Sequence, residues 1–375
     1  MKKILFAYTT FILCIMLLPI LAMNHKKNCV SELDNTYYPE FPSQFDDTTF
    51  SQIDEYVKKR IGFRDAAIYV YTQCLDTCFG EAWPNTYNYG KEGYIYPNTN
   101  ILVKDYQRIN IKENAEMREA LAEYFGNVNR YLQKKDILFL TFFATEKHTI
   151  YPEYYSDSVY VYNDKSNMSV FLEEIEKNNI PYIYPFEKFK EEKKKAQIYN
   201  QKFDPYHWND LGNFIGNQMI DEYIQERVDN LEILTAGQFN LIYEMRKYLS
   251  ESYLEINEEV PVYYLKEKNG IQDISQDDEF LSENIINISE HYINTNRIEA
   301  PSILIFHDSY FGGSAKYYVG RYREVISVHA TNYAKLQELV EHYRPDIVLF
   351  ESTERVTYTD SELWNISTLR NWKAN

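Results

Sequence analysis

The sequence predicts an α/β protein: a mainly parallel sheet covered on both faces by helices, a three-layer α/β/α sandwich. Three observations carry this expectation. From about Asn114 onward, segments with helical apolar spacing alternate with short apolar runs. The runs at 136–143, 302–306 and 346–352 are almost continuously apolar, as in strands buried on both faces. Strands separated by helices, rather than by tight turns, imply crossover connections and therefore parallel pairing.

The elements follow in order. Residues 1–23 begin "MKK" and continue with an uncharged apolar stretch, then "NHKK". A basic start before an apolar run marks an export signal, and the run is also long enough to remain as a membrane anchor. Residues 24–59 hold a polar, Pro-containing arm at 33–47 and the start of a helical pattern. The main domain is expected over 60–375. In it, "GKEGYIYP" reads as a tight turn feeding an aromatic strand, 114–133 as a helix and 136–143 as a strand. Further on, 170–177 ends a helix, "IPYIYPF" is a strand and "NDLGNFIGNQMIDEYIQERV" is a helix capped by Asn209. "EKFKEEKKK" reads as a solvated helix face. The pattern weakens over 230–300, which reads as a long excursion of polar loops. Strand and helix then alternate again to residue 352.

A formal net charge of −17 excludes a nucleic-acid partner, which needs a basic surface. The chain has 36 Tyr and 21 Phe, a usage that suits sugar stacking but also follows from compositional bias. No zinc-like Cys/His grouping occurs, and no metal or cofactor is implied. Outside the apolar segment lie Cys29, Cys74 and Cys78; the last two stand one helical turn apart, as a disulfide or as two buried thiols.

Two short stretches carry chemistry. "SILIFHDSYFGG" is a strand that stops at a turn bearing Ser309, at the carboxyl end of the sheet where reactive residues collect. "FDPYHWNDLGN" places Asp204 three residues before His207, with Pro205 stiffening the loop. A carboxylate on that spacing can accept the imidazole Nδ1–H and leave Nε2 for a serine hydroxyl, which needs such a base to act as a nucleophile. Either stretch alone is equally read as a strand end and a helix cap.

Together they resemble the Ser and D-x-x-H blocks of the SGNH hydrolase superfamily, in an order reversed from that of ordinary GDSL esterases. That permuted order is similar to the AlgX/AlgJ-like family of polysaccharide O-acetyltransferases. "RIGFRDAAIYVY", "YGKEGYIYP", "ATEKHTIYPEYY" and "RPDIVLFESTER" resemble further blocks of that family, in the same order. The sequence departs from the family pattern in the spacing of Asp204, in His307 where Gly is common and in Tyr94 where Trp is usual. The resemblance implies an SGNH hydrolase-like fold and an extracytoplasmic O-acetyltransferase. It would act through an acetyl-serine, with Ser309, His207 and Asp204 as the triad. Its partners would be a polysaccharide acceptor, a membrane-bound O-acyltransferase as acetyl donor, and the membrane itself through the N-terminal segment. Lys147, Tyr151, Tyr310 and Arg355 are candidates for lining the glycan groove. Their plainer readings are a solvated lysine, packing tyrosines, and an ion pair of Arg355 with Glu351 or Glu354. An acetyl esterase, and a silent glycan-binding assembly protein of the same fold, stand as alternatives.

Overall fold

The computed structural model describes residues 2–27, 29–31, 36–43, 46, 48–81, 85–249, 252, 254–358 and 363–373; parts of the expected arm at 33–47 lie outside them. The chain divides into two compact units, residues 1–88 with 246–257, and 89–245 with 258–375.

The first unit opens with an apolar helix, Lys2–Leu21, long and apolar enough to cross a membrane and burying none of its residues. Helices Thr49–Arg60 and Arg64–Phe79 follow, broken where Phe63 takes a left-handed conformation (φ 61°). Arg60 is buried because its guanidinium donates to the carbonyls of Pro39, Asn24, Lys26 and Tyr38. Cys74 and Cys78 are free and exposed, neither bonded nor buried, which corrects both expectations for them.

The second unit holds a seven-stranded sheet. Its strands are β1 (Leu138–Ala144), β2 (Tyr182–Ile183), β3 (Ile271–Asp273), β4 (Ser289–Asn294), β5 (Ser302–His307), β6 (Glu324–His329) and β7 (Ile347–Thr353). The spatial order is β2-β1-β7-β5-β6-β4-β3. The first five in that order pair in parallel, while β4 runs antiparallel to both β6 and β3. Every residue of β5 and β7 is buried, as central strands with two covered faces require. Side chains alternate between two cores. Leu304, Phe306, Val348 and Phe350 join one with helices Ala115–Gln133, Asn167–Lys177 and Leu336–Tyr343. Ile303, Ile305, Ile347 and Leu349 join the other, with helix Asp210–Gln225 and the aromatic residues Tyr94, Tyr96, Tyr151 and Tyr199. The Phe306 and Phe350 rings, which face each other across β5 and β7, stack at 4.3 Å.

The expected excursion of polar loops instead carries four strands among its described residues. Phe239–Tyr248 pairs with Glu255–Leu265 in a separate two-stranded sheet, and β3 and β4 extend the main one. The residues of Phe239–Tyr248 are mostly exposed, so no buried face imposes an apolar alternation on them.

Candidate active site

β5 ends at His307, and the chain turns at once. Asp308 caps a single 3-10 turn, Ser309–Phe311, its Oδ1 accepting from the Tyr310 N–H at 2.8 Å. Asp308 Oδ2 accepts from the Thr353 N–H at 2.7 Å, tying the turn to the end of β7. Asp308 and Tyr310 are buried, while Ser309 between them is exposed. The Ser309 N–H donates to no described residue. His307 points away: its Nδ1–H donates to the Asp308 carbonyl, its ring stacks on Phe311, and burial pushes its pKa down to about 4.

The second component is the loop before helix Asp210–Gln225. Asn209 caps this helix as its sequence implies, accepting from the Gly212 N–H at 3.0 Å. Asp204 adopts a left-handed conformation (φ 46°), which Asp tolerates by bonding its own backbone; its Oδ1 accepts from the Tyr206 N–H at 3.3 Å. The same carboxylate accepts from His207 Nδ1 at 2.8 Å. Since a carboxylate only accepts, Nδ1 carries the proton and Nε2 faces Ser309 Oγ, 3.0 Å away, as its acceptor. Burial works against the Asp204 charge. The hydrogen bonds and charge from His207, with the neighbouring backbone N–H groups, outweigh it and hold this carboxyl below its ordinary value.

Two contacts fix the two loops together, and a third group ties the second loop to a neighbouring strand. Trp208 Nε1–H donates to the Tyr310 carbonyl at 3.1 Å, and the Tyr310 hydroxyl donates to the Tyr206 carbonyl at 2.6 Å. Glu258, in the strand Glu255–Leu265, accepts from the consecutive N–H groups of Gln201, Lys202 and Phe203 at 2.6–2.8 Å. The region expected to be loop therefore anchors the segment that carries Asp204. No local sequence signal marks Glu258, because its role exists only through a contact between segments distant in the chain.

The expected groove residues surround this chain of hydrogen bonds as supports. Lys147 is not solvated: it is 1% exposed, and its ammonium donates to the carbonyls of Ile95 (2.6 Å) and Gln201 (2.9 Å). Burial brings its pKa down to about 7. Tyr151 is buried and its hydroxyl accepts from the Ile198 N–H at 3.2 Å; Tyr310 is buried as described. Tyr151 also lines an open cavity of about 340 Å³ with Tyr94, Tyr154 and Lys193. Arg355 pairs with neither Glu351 nor Glu354 but with buried Glu146, at 2.7 Å and 2.8 Å. Strand register explains the exchange. Thr353 of β7 lies opposite Ala144 of β1, so the residues just beyond both strands emerge side by side. Glu351 is enclosed beside Asp308, whose N–H it accepts at 3.4 Å; burial and the Asp308 charge push its carboxyl well above the ordinary range.

No protein-family profile matches the chain, and no curated protein matches it by sequence. Solved structures do match. Bacillus cereus PatB1, solved with a sulfonyl adduct, aligns at 13% identity over 76% of this chain and 99% of that one, with a TM-score of 0.56. The O-acetyltransferase domain of Pseudomonas putida AlgJ aligns at 14% identity over 76% of this chain and 98% of that one, with a TM-score of 0.50. The chain has the fold of PatB1 and AlgJ. The AlgX/AlgJ likeness read from its sequence blocks and the likeness of its fold thus point to the same group of proteins.

Proposed function

We propose that this protein is an extracytoplasmic O-acetyltransferase that moves acetyl groups onto a cell-surface or secreted polysaccharide through an acetyl-Ser309 intermediate. The observation that carries this reading is the Ser309–His207–Asp204 hydrogen-bond chain at the end of a central parallel strand, within the fold of an O-acetyltransferase domain. The same reading takes the sheet and its two cores as a three-layer α/β/α sandwich, and the helix Lys2–Leu21 as an anchor or export signal.

In the first half-reaction Ser309 Oγ bonds to the acetyl carbonyl carbon while its proton passes to His207 Nε2. Asp204 stabilises the imidazolium formed. The tetrahedral intermediate collapses, its bond to the donor breaks, and the leaving oxygen takes the proton from Nε2. In the second half a sugar hydroxyl gives its proton to Nε2 and attacks the acetyl-serine, and Ser309 regains that proton as it leaves. General base assistance of this kind contributes about 10²–10⁴-fold. The Ser309 N–H, having no acceptor among the described residues, is available to the oxyanion; one such donor contributes roughly 3–4 kcal/mol. The acetyl donor would be a membrane-bound acyltransferase or its product.

The exposure of Ser309 also favours a second reading, an acetyl esterase in which water replaces the sugar. One experiment separates them: incubate the protein with an activated acetyl ester and an oligosaccharide, and analyse the products by mass spectrometry. Acetylated sugar supports the transferase, and free acetate alone supports the esterase. Neither product, with no acetyl-enzyme on Ser309, overturns both and leaves a glycan-binding protein.

A further inference from the structure

On the far side of the Glu146–Arg355 pair lies a second polar cluster that the acetyl-transfer reading does not use. Asp105 comes from helix Asn100–Gln107, His148 from the turn Lys147–Ile150 that follows β1, and Glu354 from the helix that β7 runs into. All three are buried, and one potential ligand atom from each lies within 4.8 Å of the others. They line a cavity of about 380 Å³ whose wall also includes Tyr106, Thr149, Tyr184 and Tyr358.

The two carboxylates are oriented from behind. Asp105 Oδ1 accepts from Asn167 Nδ2 at 2.9 Å and Oδ2 from the Tyr358 hydroxyl at 2.7 Å. Glu354 Oε2 accepts from the Thr149 hydroxyl at 2.6 Å, and its Oε1 from the Tyr184 hydroxyl. His148 is different. It is 4% exposed, yet its imidazole makes no hydrogen bond with any described residue. The rings of Tyr106 and Tyr155 lie against it, at 5.6 Å and 6.0 Å between centroids. Its imidazole lines the cavity with its hydrogen-bonding capacity unused by any described residue, beside two aligned carboxylates that can share a ligand with it.

We propose that Asp105, His148 and Glu354 form a binding site for a first-row divalent cation, with Zn²⁺ or Mn²⁺ as the type of ion. One imidazole nitrogen and two carboxylate oxygens are a borderline-to-hard donor set that suits these ions, and the hydroxyls and amide behind the carboxylates are the outer partners that orient metal ligands. Metal–ligand bonds of about 2.0–2.2 Å require the three side chains to draw together slightly, which the cavity between them allows. The position gives the cation a structural task. It would cross-link the segments that follow neighbouring strands β1 and β7 to helix Asn100–Gln107, and so brace Glu146 and Arg355 beside the candidate active site. The three ligands are scattered along the chain, so no Cys/His spacing announces them.

The test uses the full-length, tag-free protein in detergent, stripped with a chelator and titrated with ZnCl₂ and, separately, MnCl₂ by calorimetry. One equivalent of either ion should bind and raise the melting temperature. H148Q and E354Q should each weaken binding at least about 10–100-fold, whereas S309A, outside the cluster, should bind like the parent. No stoichiometric binding, or binding unchanged in H148Q, overturns the site. Should H148Q fail to fold, X-ray absorption of the zinc-loaded parent decides: nitrogen and oxygen ligands with imidazole scattering support the site, and a sulfur-containing or imidazole-free shell overturns it. The readout is metal binding, so it stands or falls separately from acetyl transfer.

Discussion

Two imidazoles beside carboxylates in the same unit, those of His207 and His148, are engaged in opposite ways. His207 is bonded at both nitrogens in a line, Asp204 on one side and Ser309 on the other, and it is partly open to solvent. His148 is buried on a cavity wall and hydrogen-bonded to no described residue at either nitrogen. The first arrangement gives a proton a route in and out, as acid-base work requires. The second leaves a lone pair free toward a cavity, beside two carboxylates and no serine, as the proposed ligand role requires. His291 provides a third case, buried between Asp278 and Glu324 at 2.6 Å and 2.9 Å, where the imidazole serves as half of an ion pair. The partners of each ring, rather than its nearness to a carboxylate, separate these tasks.

The contrast breaks most visibly at the serine. S309A should lower acetyl-ester turnover on the order of 10⁴-fold or more and abolish the acetyl-enzyme seen by intact mass. Substantial residual turnover would mean that the His207 line is not a proton route. D204N leaves the shape and removes the charge that fixes the His207 tautomer, so turnover should fall about 10²–10⁴-fold with little change in melting temperature. E258Q reaches the same loop from behind. Weakening three N–H contacts to a carboxylate should lower kcat about 10-fold, the effect of a shift of about 1.4 kcal/mol, and leave any cation binding at His148 unchanged.

The smallest expected effect concerns His291. Burial disfavours its charge, but the hydrogen bonds and charges of Glu324 and Asp278 outweigh this and raise its pKa in the folded protein. Folding then takes up a proton. Stability from this group is fully present below the unfolded value near 6.5 and is lost as pH rises through the folded one. Melting temperature measured from pH 5 to 9 should show that decline, and H291Q should flatten it. An unchanged slope would remove His291 from the ion-pair class.

Much of this was legible in the sequence where burial imposes a pattern. The run at 302–306 lies within β5 and that at 346–352 matches β7 to one residue because both faces are covered, and the helix at 114–133 begins within one residue of its expected start. Asp204 and His207 were legible because their contact is local, and Ser309 because a strand end and a family-like block coincide there. The strands between residues 239 and 294 were not: Phe239–Tyr248 is mostly exposed, and the buried positions of Glu255–Leu265 and β4 follow no clean apolar alternation. Nor were the partners of Arg355, Lys147 and Glu258. Those are set by register and by where strands end, and a residue does not carry its register in its immediate neighbours.

The bond between His207 and Ser309 joins positions 102 residues apart, and the Trp208 and Tyr310 clamps repeat that separation. Such a site is non-local: loop closure over that distance must be completed before Ser309 meets His207. On the role proposed for Ser309, a serine-directed sulfonylating reagent would act as a folding clock. The fraction of Ser309 labelled during refolding counts the molecules whose topology is already complete, independently of any sugar or acetyl donor.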